Sequence, residues 1–216
     1  MKILFFGDSI TDMARGRDND AQGRPWGLGS GYVFLIATKL LSEEHGKYSI
    51  VNRGNSGDRV VDLYARIKRD VWNETPNVLS ILVGANDVWQ DLVKNSSHDG
   101  VDIARWEKVY RMIIEDTKAN LPIVQIILCE PFVLPGTVTR EDGRLEAFNK
   151  IRKYAEVAKK LAQEYNLVFV ALQDKFDEMA KKHGEEYFLY DGIHPDLAGA
   201  NLIAEEWVKA FKMLVK

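Results

Sequence analysis

The chain has 216 residues, of which 46% are hydrophobic and 28% charged, and its formal net charge is −3. That length suits one domain with a sizeable core, so residues 1–216 are expected to fold as a single unit. The slightly acidic balance gives no electrostatic reason for a nucleic-acid or anionic-membrane partner, and no apolar run is long enough to span a bilayer. The one cysteine, Cys129, excludes an internal disulfide. It stands in an apolar run and reads as a small buried hydrophobe, which suits a reducing compartment. The N-terminal apolar run 3–6 is too short for a secretory signal core, and a cytoplasmic location is expected.

Along the chain, short apolar runs alternate with helical patterns. The first run, 3–6, ends in Gly7-Asp8-Ser9-Ile10-Thr11. A stretch without periodicity, 12–30, follows as a long loop, and loops of that length in a compact domain are often functional. A helix is predicted over 32–41. The second run, 49–52, leads into Asn52-Arg53-Gly54-Asn55-Ser56-Gly57-Asp58, after which Val60, Leu63, Tyr64 and Ile67 mark a helix face. The third run, 78–83, ends in Gly84-Ala85-Asn86-Asp87 and is followed by an irregular stretch, 89–101. Trp106, Val109, Tyr110, Ile113 and Ile114 share a helix face, and a fourth run spans 123–129 before a second irregular stretch, 131–142. One long stripe runs from Leu145 to Ala162, a fifth strand covers 167–171, and a last stripe holds Leu197, Ala200, Ala204, Trp207, Val208 and Phe211. Steps of three and four make these amphipathic helices whose apolar residues are core. The alternation predicts a flavodoxin-like three-layer α/β/α sandwich with a five-stranded parallel sheet in the order 2-1-3-4-5.

Ligands of such sheets bind beyond the carboxyl ends of the strands, and three polar, glycine-containing turns converge there. Each turn alone is weak: Gly-Asp-Ser is compatible with a plain turn, and Gly-x-Asn-Asp with a helix N-cap. A fourth element is Asp191-Gly192-Ile193-His194-Pro195, with Pro195 suited to the first turn of the last helix. The three-residue spacing lets the Asp191 carboxylate reach Nδ1–H of His194, which leaves Nε2 free to accept a proton. His45 and His183 lie in charged helix ends and His98 in a polar loop, so only His194 has this setting. No His/Cys cluster has metal-ligand spacing, and neither a metal nor a cofactor is expected.

Gly7-Asp8-Ser9, Gly57, Gly84-x-Asn86-Asp87 and Asp191-x-x-His194 resemble the four sequence blocks of the SGNH (GDSL) hydrolases, in order and across nearly the whole chain. The resemblance implies Ser9, Asp191 and His194 as the catalytic residues. It also implies an oxyanion hole made of the Ser9 N–H, the Gly57 N–H and the Asn86 amide, with Gly54 as the alternative to Gly57. Asp8 reads rather as a structural residue that bonds the surrounding turns. A narrower resemblance is to bacterial intracellular acetylxylan esterases, carried by Gly7 to Asp12, Gly29-Ser30-Gly31-Tyr32-Val33, Gly84 to Trp89, Pro131-Phe132 and the spacing to Asp191. It implies a small acetylated carbohydrate as substrate and a homo-oligomer as the assembled form. Trp89 and Trp26 are candidates for contact with the sugar, against packing as the plainer role. The rival enzyme reading is a lysophospholipase or acyl-thioesterase, which needs an elongated apolar groove. The rival from another class is a non-catalytic flavodoxin-like binding protein, but no phosphate fingerprint follows the first strand, and that reading leaves Asp191 with His194 unexplained.

Overall fold

The computed structural model describes residues 1–18, 23–92 and 98–215. Five strands, β1 (Lys2–Gly7), β2 (Ser49–Gly54), β3 (Val78–Leu82), β4 (Gln125–Cys129) and β5 (Val168–Val170), form one sheet. Their order is β2-β1-β3-β4-β5 and every pairing is parallel. The central strand β3 is buried along its whole length, as expected of a parallel strand covered on both faces. On one face α2 (Tyr32–Glu43) packs against α9 (Leu197–Leu214); on the other α3 (Val60–Ile67), α5 (Ile103–Asn120) and α7 (Ile151–Glu164) pack in sequence. The predicted layers and strand order are the observed ones.

Each face is anchored by a tryptophan. Trp207 of α9 packs on Phe5 at 4.9 Å and its Nε1–H donates to Ser80 Oγ at 2.9 Å. Ser80 is the polar residue of the central strand, and this bond spares it the cost of burial without a partner. Its hydroxyl also lies 3.6 Å from Cys129 Sγ. Cys129 is buried, and burial pushes its thiol up to about 12, which makes it an inert core residue. On the opposite face Trp106 packs edge-on against Tyr110 at 4.8 Å and Tyr154 at 5.3 Å.

Some boundaries differ from the sequence reading, for local reasons. The stripe from Leu145 to Ala162 is two helices, α6 (Leu145–Phe148) and α7, broken at Asn149 and Lys150. Residues 89–92, read as irregular, belong to α4 (Ala85–Leu92); its buried face is carried by Ala85, Asn86, Asp87 and Val88, whose polar members masked the apolar stripe. Ile123 is 82% exposed and stands in the turn before β4. Leu197 is 74% exposed and drops out of the α9 stripe. Pro195 precedes the Asp196 N-cap of α9 and is not in its first turn; Leu189 and Pro195 instead bridge antiparallel. Within 12–30, a single helical turn, α1 (Ser9–Asp12), takes Asp12, and a 3-10 turn covers Pro25–Leu28. Residues 19–22 of that stretch and 93–97 of the 89–101 stretch lie outside the described residues.

Candidate active site

The site is assembled at the carboxyl edge of β1, β2 and β3. Gly7 closes β1, and Asp8 caps α1 by accepting the Ile10 N–H at 3.0 Å. This cap places Ser9 at the first position of a helical turn, half-buried, with its own N–H free of any protein acceptor among the described residues. Asn52 ties this turn to its surroundings: its amide donates to the Thr11 and Leu28 carbonyls, both at 2.7 Å. Asp12 ties it to the loop after β2 by accepting Ser56 N–H at 3.1 Å and Ser56 Oγ–H at 2.9 Å.

The two glycines of the β2 loop differ. Gly54 is buried, its N–H donates to Asn52 Oδ1 at 2.8 Å, and a Cβ there would lie 2.3 Å from the Asp12 nitrogen. Its donor is therefore spent on the scaffold. Gly57 is exposed, has φ of +87°, and its N–H has no protein acceptor among the described residues. The loop is clamped from below by Arg66, whose guanidinium meets Asp58 at 2.6 Å and donates to the Gly7 and Arg53 carbonyls at 3.1 and 2.8 Å. Asn86, in the first turn of α4, gives one N–H to the Asp58 carbonyl at 3.1 Å. Its second N–H is left for another acceptor.

From the C-terminal side comes the 184–196 loop, between α8 (Gln173–His183) and α9. His194 Nε2 lies 2.8 Å from Ser9 Oγ, and His194 Nδ1 lies 2.7 Å from Asp191 Oδ2. The other Asp191 oxygen accepts the Ile193 and His194 backbone N–H groups at 2.9 and 2.7 Å. Burial works to raise the Asp191 pKa, but its hydrogen bonds with His194 and Ile193 and the imidazole charge hold it below the usual value. Burial alone would depress His194. The hydrogen bond and charge of Asp191 outweigh it, Asp8 adds to them, and His194 ends above its ordinary value of 6.5.

Two further carboxyls are buried next to the site residues in sequence, Asp8 beside Ser9 and Asp87 beside Asn86. Asp8 and Asp87 are each 1% exposed, and the Oδ2 of each has no hydrogen-bond partner among the described residues. Burial pushes Asp8 up to about 7 and Asp87 up to about 8. Asp8 and Asp87 still work structurally, because Asp8 Oδ1 caps α1 and Asp87 Oδ1 accepts the Val60 N–H at 3.0 Å.

The aromatics separate. Trp89 meets the His194 ring edge-on at 5.8 Å and Phe148 at 5.8 Å, so it walls the site. Trp26 sits on the 3-10 turn, 57% exposed, with its carbonyl accepting the Gly16 N–H; none of the described ring contacts joins it to Ser9, His194 or Asn86. Tyr190, which the sequence reading passed over, stacks on His194 at 5.9 Å. Its signal was only its place before Asp191. Asp12, Asp58 and Arg66 were also missed, because their roles rest on contacts between distant loops. Among the described residues no group of three or more His, Cys, Asp or Glu side chains is arranged to hold a metal ion.

A serine hydroxyl bonded to an imidazole that a carboxylate orients is the arrangement that performs acyl transfer. Comparison with known proteins agrees. The profile of the GDSL-like lipase/acylhydrolase family matches residues 5–202. An acetylxylan esterase of Geobacillus stearothermophilus is 34% identical over 97% of this chain and 96% of that protein. Among solved structures, a protein described as a GDSL-like lipase from Parabacteroides merdae superposes with a TM-score of 0.87 at 38% identity, covering 98% of this chain and 95% of that one. The Geobacillus stearothermophilus acetylxylan esterase Axe2 superposes with a TM-score of 0.81 at 32% identity, covering 97% and 93%. The chain belongs to the GDSL-like lipase/acylhydrolase family and is a carboxylic ester hydrolase.

Proposed function

We propose that this protein removes acetyl groups from carbohydrates such as xylo-oligosaccharides, through an acyl-enzyme on Ser9. The observation that carries the reading is the continuous Ser9–His194–Asp191 hydrogen-bonded chain, at 2.8 and 2.7 Å. The acetyl preference is supported by the similarity to an acetylxylan esterase over 97% of the chain. Cytoplasmic residence belongs to the same reading, supported by the single, buried, free thiol.

Ser9 Oγ attacks the acetyl carbonyl while His194 Nε2 takes its proton. The resulting imidazolium is held by Asp191. Negative charge on the carbonyl oxygen is met by the N–H groups of Ser9 and Gly57 and by the second amide N–H of Asn86. His194 then protonates the sugar oxygen as it leaves. Water, deprotonated by the same imidazole, attacks the acetyl-serine and releases acetate.

The test compares wild type with Ser9→Ala on p-nitrophenyl acetate, p-nitrophenyl octanoate and acetylated xylo-oligosaccharides. Wild type is expected to favour acetate over octanoate and to release acetate from the sugars. Ser9→Ala is expected to lose about four orders of magnitude in turnover while keeping its fold. Faster cleavage of the octanoate favours a lipase or thioesterase, and an active Ser9→Ala protein sinks the mechanism.

A further inference from the structure

His194 lies between two aromatic rings that differ in what else they touch. Trp89 is half-buried, and Phe148 takes up part of its surface. Tyr190 is 50% exposed, yet its ring stacks on the imidazole with centroids 5.9 Å apart and 18° between the planes. Exposure of one tyrosine is ordinary by itself; its placement is not. The phenol hydroxyl has no hydrogen-bond partner among the described residues, so its position is set by the backbone and by the imidazole. That backbone is held from several sides. Gly192 N–H donates to the Leu189 carbonyl at 3.1 Å, Leu189 bridges to Pro195, and the Asp191 carbonyl accepts Val138 and Thr139 N–H at 3.2 and 3.3 Å. A ring fixed in this way costs little ordering when a ligand packs on it.

The reaction places a group beside this ring. His194 Nε2 faces Ser9 and delivers the proton to the leaving oxygen, so the alcohol half of the ester must lie along the imidazole edge. The aromatic rings in contact with this imidazole are Trp89 and Tyr190, and Tyr190 is the more open. A pyranose has a face of C–H groups and a rim of hydroxyls. A phenol has an apolar face and one hydroxyl at its rim, so the two surfaces match in polarity. We infer that Tyr190 is the platform for the alcohol half of the ester, with the C–H face of a six-membered sugar ring packed on its exposed side and its hydroxyl bonded to the sugar rim. This rests on the carbohydrate reading of the same site and assigns the sugar, and not the acyl group, to Tyr190.

The test measures kcat and KM for acetylated xylobiose and for ethyl acetate, whose alcohol has no ring, with wild type, Tyr190→Leu and Tyr190→Phe. In Tyr190→Leu the ratio of kcat/KM for the sugar to that for ethyl acetate is expected to fall about tenfold, with the loss in KM for the sugar; tenfold corresponds to about 1.4 kcal/mol. Tyr190→Phe keeps the ring face and is expected to recover most of it. A loss shared equally by both substrates, carried in kcat and accompanied by a shift of the acid limb of the pH profile, overturns the assignment, because Tyr190 then only braces His194. An unchanged ratio overturns it as well. Wild type that releases no acetate from the sugar refutes the carbohydrate reading and the platform together. Wild type that does so while Tyr190→Leu keeps the ratio refutes the platform alone.

Discussion

Gly136 lies outside all four family sequence blocks, yet it abuts the turn that carries Asp191. A Cβ built there would lie 2.2 Å from the Gly192 nitrogen and 2.3 Å from the Asp191 carbonyl carbon, where ordinary contact begins near 3.4 Å. Both neighbours are backbone, so the clash cannot be relieved by a rotamer change. The φ of Gly136 is not in the left-handed region, and Gly136→Ala is therefore a nearly pure steric wedge of about an ångström against Asp191. The loop cannot yield easily either: Gly136 N–H donates to Thr139 Oγ1, Thr139 Oγ1–H to the Leu134 carbonyl, and Leu134 N–H to the Gly192 carbonyl, at 2.8, 2.8 and 2.9 Å. A displacement of about 1 Å in a group that orients the base costs roughly 10²-fold in rate, and overpacking costs about 1–3 kcal/mol of stability. Gly136→Ala is expected to melt cooperatively, several degrees below wild type, with kcat on p-nitrophenyl acetate reduced about 100-fold. The acid limb of its kcat/KM profile is expected at lower pH, because Asp191 is what lifts His194. Wild-type kcat with a lowered melting temperature would refute the reasoning, since the wedge would then have moved something other than Asp191.

The wild-type kcat/KM profile is expected to rise through one ionisation above the ordinary histidine value of ~6.5, because Asp191 and Asp8 favour the imidazolium. Asp8→Asn removes one of those charges and should move the limb to lower pH; an unmoved limb argues that Asp8 is protonated there or screened from His194. The buried Asp87 predicts a different pH effect. Its pKa is 3.8 ordinarily and about 8 in the fold, so the folded protein keeps a proton that the unfolded chain releases, and the stability from that proton is full below about pH 4 and is lost as pH rises toward 8. Asp87→Asn carries no such proton, and its melting temperature is expected to fall less than that of wild type between pH 5 and pH 8; parallel curves would show that Asp87 is already ionised in the fold.

How much of this was legible in the sequence depends on the range of the interaction. The layers and strand order were readable because hydrophobic periodicity is local, and a parallel sheet with helical crossovers admits few arrangements. Asp191 and His194 were readable for the same reason, since a three-residue spacing within one turn lets the carboxylate reach the imidazole. Trp89 was readable through its place just after Asn86. The helix over 85–92 was obscured because polar Asn86 and Asp87 occupy its buried face and interrupt the apolar pattern.

Other features depended on which loops the sheet order brings together. Gly54 spends its N–H on Asn52 Oδ1 two residues earlier in β2, but its burial against the Asp12 backbone is a contact between the segment after β1 and the end of β2. The wedge at Gly136 arises from a loop after β4 lying on a turn 55 residues later in the chain. Arg66 reaches Gly7 across 59 positions, and Ser9 meets His194 across 185. Sequence spacing determines what one turn can join. Only the packed sheet decides which of these turns share an edge, because that edge is built from strands whose neighbours in space are not their neighbours in sequence.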